Sequence, residues 1–169
     1  MVFALPARAE DTTHTVAWSA APAVLGVAEA VVEQRLAHPW SAQGLGAIGN
    51  GSTAVFRTDQ VRGLTLLQGN WFGQIGGQLR RYAVGDFRRG VWIAGELRAM
   101  AVAHADQPVV GLALGPLAGV KAVWGPGLTT ELAVGGAVVA NTLQQRGRDA
   151  RIWSFSVQPM VQLLLGWSW

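Results

Sequence analysis

Eight charged residues occupy positions where polar and apolar side chains alternate along the chain. They are four acids and four bases: Glu29, Glu33, Arg35, Arg80, Glu96, Arg98, Lys121 and Glu131. Glu96 and Arg98 have the spacing of an acid–base pair, but a structural ion pair explains them better. Because an unpaired buried charge is costly, the sequence predicts a network of ion pairs in an enclosed interior. The alternative is that some of these residues lie at the rims of the protein, beside water.

Other groups that could do chemistry are sparse. The three histidines lie on separate segments: His14, His38 and His104. His104 is expected at the same end of the molecule as Ser154 and Ser156, which leaves a Ser–His lipid hydrolase as a lesser alternative. The sequence has no phosphate-loop pattern, no metal-ligand spacing and no cysteine. It therefore predicts no catalytic, cofactor-binding or metal-binding residue.

The last eighteen residues, 152–169, show which kind of element carries these side chains. Every second residue from Trp153 to Trp169 is apolar, and the intervening residues are mostly small or polar. A period of two is that of a β-strand. The segment is longer than a typical strand of about five or six residues, and long enough to cross a bilayer, which takes about nine to eleven.

Aromatic residues near both ends of predicted strands suggest two membrane interfaces. The predicted aromatic girdle consists of Trp18, Trp40, Trp71, Trp124, Trp153, Phe155, Trp167 and Trp169. Half of the residues are hydrophobic and only 14% are charged, against about 25% in soluble domains. The charge-free segments contain proline, paired glycines or several polar residues, so they do not predict a membrane-spanning helix. The net charge of +3 is spread along the chain and gives no support for nucleic-acid binding.

The same alternation predicts seven earlier strands, at 15–21, 27–36, 40–49, 71–83, 91–104, 109–124 and 128–142. Connections 37–39, 84–90 and 125–127 are expected at one end with both termini, and loops 50–63, 105–108 and 144–151 at the other. A short connection around Pro22 is also expected there. Residues 64–70 remain ambiguous between loop, short helix and strand extension.

Eight strands predict closure, since an even number is usual for bacterial barrels and a closed sheet has no unpaired edge in lipid. Side chains roughly fill the interior of an eight-stranded barrel. The predicted fold is all-β: one eight-stranded antiparallel up-and-down transmembrane β-barrel over residues 10–169. Residues 1–9, which include Ala7-Arg8-Ala9, are expected to be the remnant of a signal peptide. A disordered tail is the alternative.

Several segments resemble small outer-membrane β-barrel proteins of Gram-negative bacteria, of the type of OmpX and the OmpA transmembrane domain. They are the hairpin segments 77–82 with 90–96, the segments 115–121 with 128–136, and the alternating stretch that ends at Trp169. The resemblance covers residues 13–169. It implies a bacterial outer-membrane location, with lipopolysaccharide in the outer leaflet and the barrel-assembly machinery as a partner that reads the C-terminal strand. It implies no binding residue and no loop partner.

These observations lead to one functional hypothesis and three alternatives. The hypothesis is a structural or surface-interaction outer-membrane barrel with a salt-bridged, blocked lumen and no catalysis. The first alternative is a narrow pore for small solutes, and the second is an outer-membrane lipid hydrolase that depends on His104. The third is a soluble lipocalin-like barrel with its apolar face inside.

Overall fold

The structure of the protein, a computed structural model, describes residues 12–19, 27–54, 66–103, 109–144 and 151–169. Within these ranges the side chains at 50–54, 66–70, 72, 102, 109, 141–144 and 151–154 are not described. The predicted leader at 1–9, the connection at Pro22 and His104 lie outside the described residues. So do all or most of the predicted loops at 50–63, 105–108 and 144–151.

Eight antiparallel strands form one closed barrel in the order β1 to β8, and β8 pairs with β1. The strands are β1 (His14–Ser19), β2 (Val27–Arg35), β3 (Trp40–Ala54), β4 (Leu66–Gly85), β5 (Arg89–Ala103), β6 (Val109–Trp124), β7 (Leu128–Gln144) and β8 (Arg151–Ser168). The predicted all-β, eight-stranded antiparallel barrel is therefore confirmed. None of the described residues belongs to a helix long and apolar enough to cross a membrane.

Alternation of side chains between the two faces explains why these segments form strands. On β2, buried residues at 27, 29, 31 and 33 alternate with exposed residues at 28, 30, 32 and 34. Successive side chains of a strand point to opposite faces, so Glu29 and Glu33 lie inside the barrel while Ala28, Ala30 and Val32 face outward.

The barrel closes with a stagger that fixes its width. Successive pairings link Val16 on β1 to Val157 on β8, by way of Val32, Gly44, Gly77, Leu97, Leu114 and Val138. The direct β8 partner of Val16 is Trp167, so the stagger is ten residues, from 157 to 167. An eight-stranded barrel with such a stagger has strands tilted by roughly 35–45° and an interior that side chains can fill.

β3 and β4 extend furthest beyond the strands that the alternation predicted. β3 continues to Ala54, so the prediction that a loop begins at Asn50 is wrong. β4 begins at Leu66, which makes 66–70 of the ambiguous segment a strand. Pairing continues from Gly51↔Asn70 to Ala54↔Leu66 across a β-bulge. Backbone hydrogen bonds hold this extension, and they do not require the apolar alternation on which the prediction relied.

Three short connections, at 36–39, 86–88 and 125–127, lie at one end of the barrel, which we call the turn end. The opposite end is the loop end. Gly85 and Gly125 have φ angles of 77° and 48°, a conformation that favours glycine. The turn end also holds the start of β1 and the end of β8, where Thr13 and His14 donate backbone hydrogen bonds to Trp169 O.

Candidate functional site

Seven of the eight charged residues singled out in the sequence form ion pairs inside the barrel. Six of them are at most 4% exposed: Glu29, Glu33, Arg80, Glu96, Lys121 and Glu131. The side chain of Arg98 is 12% exposed. Arg35 lies half-buried at the turn end of β2, beyond the main network. The seven form two clusters along the barrel axis.

The cluster nearer the turn end contains Glu33, Arg80, Lys121 and Glu131, contributed by β2, β4, β6 and β7. Arg80 donates through both terminal nitrogens to the two carboxylate oxygens of Glu131, at 2.8 and 2.7 Å. It also lies 3.4 Å from Glu33. Such bidentate pairs fix orientation as well as charge, so Arg80 joins β4 to β7 across the lumen.

Glu33 is the most fully satisfied carboxylate of this cluster. Its Oε2 accepts a hydrogen bond from Lys121 Nζ at 2.6 Å, and its Oε1 accepts from Ser41 Oγ at 2.6 Å and from the Tyr82 hydroxyl at 3.1 Å. Lys121 Nζ also donates to Thr15 Oγ1 at 2.8 Å. Because its charge and lone pairs have partners, the cost of burying Glu33 is offset locally.

The second cluster, nearer the loop end, contains Glu29, Glu96 and Arg98. Arg98 Nη1 donates to Glu29 Oε2 at 3.0 Å, and Arg98 Nη2 donates to Glu96 Oε2 at 3.1 Å. Arg98 Nε also donates to Glu96. Gln74 Nε2 donates to Glu29 at 2.6 Å, which gives the Glu29 carboxylate additional polar support. Within this cluster, Glu96 and Arg98 form an ion pair.

Gln78 connects the two clusters. Its Oε1 accepts from Arg80 Nε at 2.8 Å, and its Nε2 donates to Glu96 and, at 3.1 Å, to Gln162. Gln162 donates in turn to Glu96 at 3.0 Å. The connection joins the ion pairs into one network that runs along the barrel axis. The predicted site omitted these glutamines because they are uncharged, although Gln78 shares the inward alternation of Arg80.

Aromatic side chains fill the turn end of the lumen. Tyr82, Phe87 and Trp92 are buried and pack together with Leu117 and Ala133. The guanidinium of Arg80 lies 4.1 Å from the centre of the Trp92 ring, and Lys121 Nζ lies 3.6 Å from that of Phe87. Cations over aromatic faces gain electrostatic stabilisation in a dry interior. Phe87 comes from a connection that the sequence marked only as a turn.

The outer surface carries the large apolar side chains. Exposed Val, Ile, Leu, Phe or Trp residues project from all eight strands. The most exposed of them is Val157, at 80%. This orientation is the reverse of the one that the lipocalin-like alternative requires, in which the apolar face lies inside.

The predicted aromatic residues lie near both ends of the outer surface. Trp40, Trp124, Trp167 and Trp169 are exposed near the turn end. Trp71 and Phe155 are exposed nearer the loop end, opposite Ala103 and Ala140. Trp18 pairs with Leu165, so it lies one outward position further from the turn end than Trp167. The side chain of Trp153 lies outside the described part of the chain.

The hydrolase alternative depends on His104 and Ser154, and the other histidines and Ser156 are placed as follows. His14 stacks on Trp169 at the turn end, with ring centroids 6.0 Å apart, and His38 is in the turn at 36–39. Ser156 accepts a hydrogen bond from Gln158 at 3.4 Å. His104 and the side chain of Ser154 are not described. No group of three or more acidic or histidine residues in the described ranges could hold a metal ion.

Comparison with protein-family models, with curated proteins and with solved structures finds no match to this chain. The resemblance to OmpX-type barrels therefore stays a prediction. The feature of the structure that bears on function is an apolar outer surface around a charged and filled interior.

Proposed function

We propose that this protein is a bacterial outer-membrane β-barrel of a structural or surface-interaction type, with a blocked lumen and no catalytic activity. One observation carries the proposal: large apolar side chains cover the outside of a closed barrel whose inside is a paired charge network. Such an arrangement suits lipid outside and a polar plug inside.

The extent of the apolar surface supports lipid as the surrounding medium. A soluble monomer rarely exposes a contiguous apolar patch larger than a few hundred Å². Here exposed branched or aromatic apolar residues occur on every strand, with tryptophans near the turn end. Lipid would cover this surface, and the tryptophans would lie at the level of the headgroups. Closure satisfies backbone groups that lipid could not.

The filled interior supports a blocked lumen. Arg80 and Glu131 connect opposite parts of the barrel wall, and Trp92 and Phe87 pack at the turn end. A conducting path would require the separation of buried ion pairs, which is costly in a low-dielectric interior. The proposed partners are the lipids of the outer membrane, including lipopolysaccharide, and the barrel-assembly machinery. The partner of the loops is left open.

Gel migration after refolding from urea into detergent tests the membrane barrel. We expect the unboiled protein to migrate faster in SDS than the boiled protein, together with a β-type far-ultraviolet circular dichroism spectrum. A single unshifted band from protein that stays soluble without detergent would contradict the proposal.

Planar bilayers and lipid substrates test the blocked, non-catalytic lumen. We expect no stable single-channel conductance from folded protein and no turnover of lipid A or ester lipids. Stable conductance steps would instead support a narrow pore. Turnover that is lost in His104→Ala would support a lipid hydrolase.

A further inference from the structure

The turn end of the barrel carries an excess of positive charge in its described residues. Four arginines accompany one aspartate: Arg35, Arg81, Arg88, Arg89 and Asp86. The Asp86 carboxylate accepts hydrogen bonds from the backbone N–H groups of Arg88 and Arg89, at 2.8 and 3.0 Å. Because the Asp86 carboxylate binds the backbone of its own turn, the four arginines leave the turn end with a net positive charge in the described residues.

Two of these arginines lie on the outer surface, at the turn-end edge of the exposed apolar side chains, which we call the apolar belt. Arg81 on β4 and Arg89 on β5 are both exposed, and each shares the outward alternation of its strand. Arg81 pairs in register with Trp40, and the Arg89 guanidinium lies 5.1 Å from the centre of the Trp124 ring. Both tryptophans are exposed. Each arginine therefore has a neighbouring tryptophan at the edge of the apolar surface: Arg81 is paired with Trp40 between adjacent strands, and the Arg89 guanidinium lies near the Trp124 ring.

We propose that Arg81 with Trp40, and Arg89 with Trp124, each form a binding site for the phosphate headgroup of an anionic glycerophospholipid. Guanidinium groups bind phosphate oxygens in a bidentate manner. Exposed tryptophans suit the headgroup level, while the neighbouring apolar belt would contact the acyl chains. Charge complementarity and continuity with the belt both identify a lipid as the occupant.

This inference rests on the proposed membrane barrel, so its test first separates the two. Wild type and variants are refolded into detergent and checked for the faster unboiled band in SDS. Folded protein is then studied by native mass spectrometry with equal amounts of phosphatidylglycerol and phosphatidylcholine that carry identical acyl chains. If the wild-type protein does not fold as a barrel in detergent, the proposed function fails; if it folds but shows no preference for phosphatidylglycerol, only this inference fails.

The double variant Arg81→Gln/Arg89→Gln should reduce the preference for phosphatidylglycerol. Basic residues near an anionic membrane surface contribute about fivefold each, so the expected loss is about 25-fold. Arg151→Gln, at the loop-end start of β8, is the matched control and should keep the wild-type preference. An equal loss in the control would overturn the assigned site. Full competition by inorganic phosphate at the same concentration would also overturn it, because the site would then bind anions without regard to lipid.

Discussion

Arg80 shows, at the scale of single residues, how the barrel accommodates charge. It is fully buried and contacts Glu131, Glu33, Gln78 and the Trp92 ring. Coulomb attraction alone would barely repay the desolvation of such a group, and it is the added hydrogen bonds and ring contact that make burial tolerable. The network should therefore be far more sensitive to the loss of one partner than to the loss of a matched pair.

Arg80→Gln should destabilise the folded barrel by about 3–5 kcal/mol, because it leaves Glu131 buried without its bidentate partner. The measurement is the free energy of unfolding in urea, in micelles of a neutral detergent. Arg81→Gln is the matched control: its side chain is adjacent in sequence but points outward, so a change within about 0.5 kcal/mol is expected. The double variant Arg80→Gln/Glu131→Gln should recover part of the loss. Equal effects at positions 80 and 81 would refute the buried network.

Asp86, in the turn between β4 and β5, gives a prediction about the pH dependence of stability. Backbone hydrogen bonds from Arg89 and Arg88, with the charges of Arg35 and Arg88, lower the pKa of Asp86 below that of an ordinary aspartate. Its ionised form is favoured by folding, so its contribution to stability is present above the ordinary pKa of about 3.9 and is lost as the pH falls through the lowered value. Carbon-13 NMR of the Asp86 carboxyl group should therefore show a midpoint below that value, whereas a midpoint at or above it would contradict the turn geometry.

At the scale of strands, the sequence predicted which face of the sheet a side chain occupies better than it predicted which side chains meet inside the barrel. Alternation placed Glu33 and Glu131 on inward faces, but it could not show that Arg80 would approach both. Which side chains Arg80 contacts depends on the ten-residue stagger, and that stagger arises from backbone pairing around the whole barrel. The lengths of β3 and β4 were missed for a similar reason, since their extension is held by backbone pairs. Phe87 was missed because a turn residue has no alternation to show its direction.

Glycine at the contact between β5 and β6 gives a test at this scale. A Cβ at Gly119 would lie 2.5 Å from the ring of Trp92, which is fully buried and cannot move aside. Gly119→Ala should therefore destabilise the barrel by about 1–3 kcal/mol through overpacking. At Gly95 a Cβ would meet nothing within 4 Å, so Gly95→Ala should be neutral or stabilising by up to about 1 kcal/mol.

Urea unfolding of both glycine variants under identical conditions provides the comparison. Equal stability of the two variants would mean that Trp92 does not pack against β6 as the structure has it.

At the scale of the whole molecule, closure of the barrel separates an interior from an outer surface. The sequence already indicates this division, because alternate residues of each strand face one side or the other. The paired interior charges and the outward apolar residues follow from the same alternation, and the sheet closes where residues 15–19 of β1 pair with residues 164–168 of β8. Lipid contact, the outer-membrane location and the absence of catalysis remain proposals. Of these, lipid contact is the central one, because the proposed outer-membrane location depends on it.

Spin-label accessibility in phospholipid vesicles tests lipid contact most directly. The chain has no cysteine, so single cysteines can be introduced along β7 at Leu132, Ala133, Val134, Ala137 and Val138 for labelling. We predict high accessibility to oxygen, which dissolves in lipid, at the outward positions 132, 134 and 138, and low accessibility at the buried positions 133 and 137. Outward positions that react preferentially with a water-soluble nickel reagent would contradict the membrane barrel.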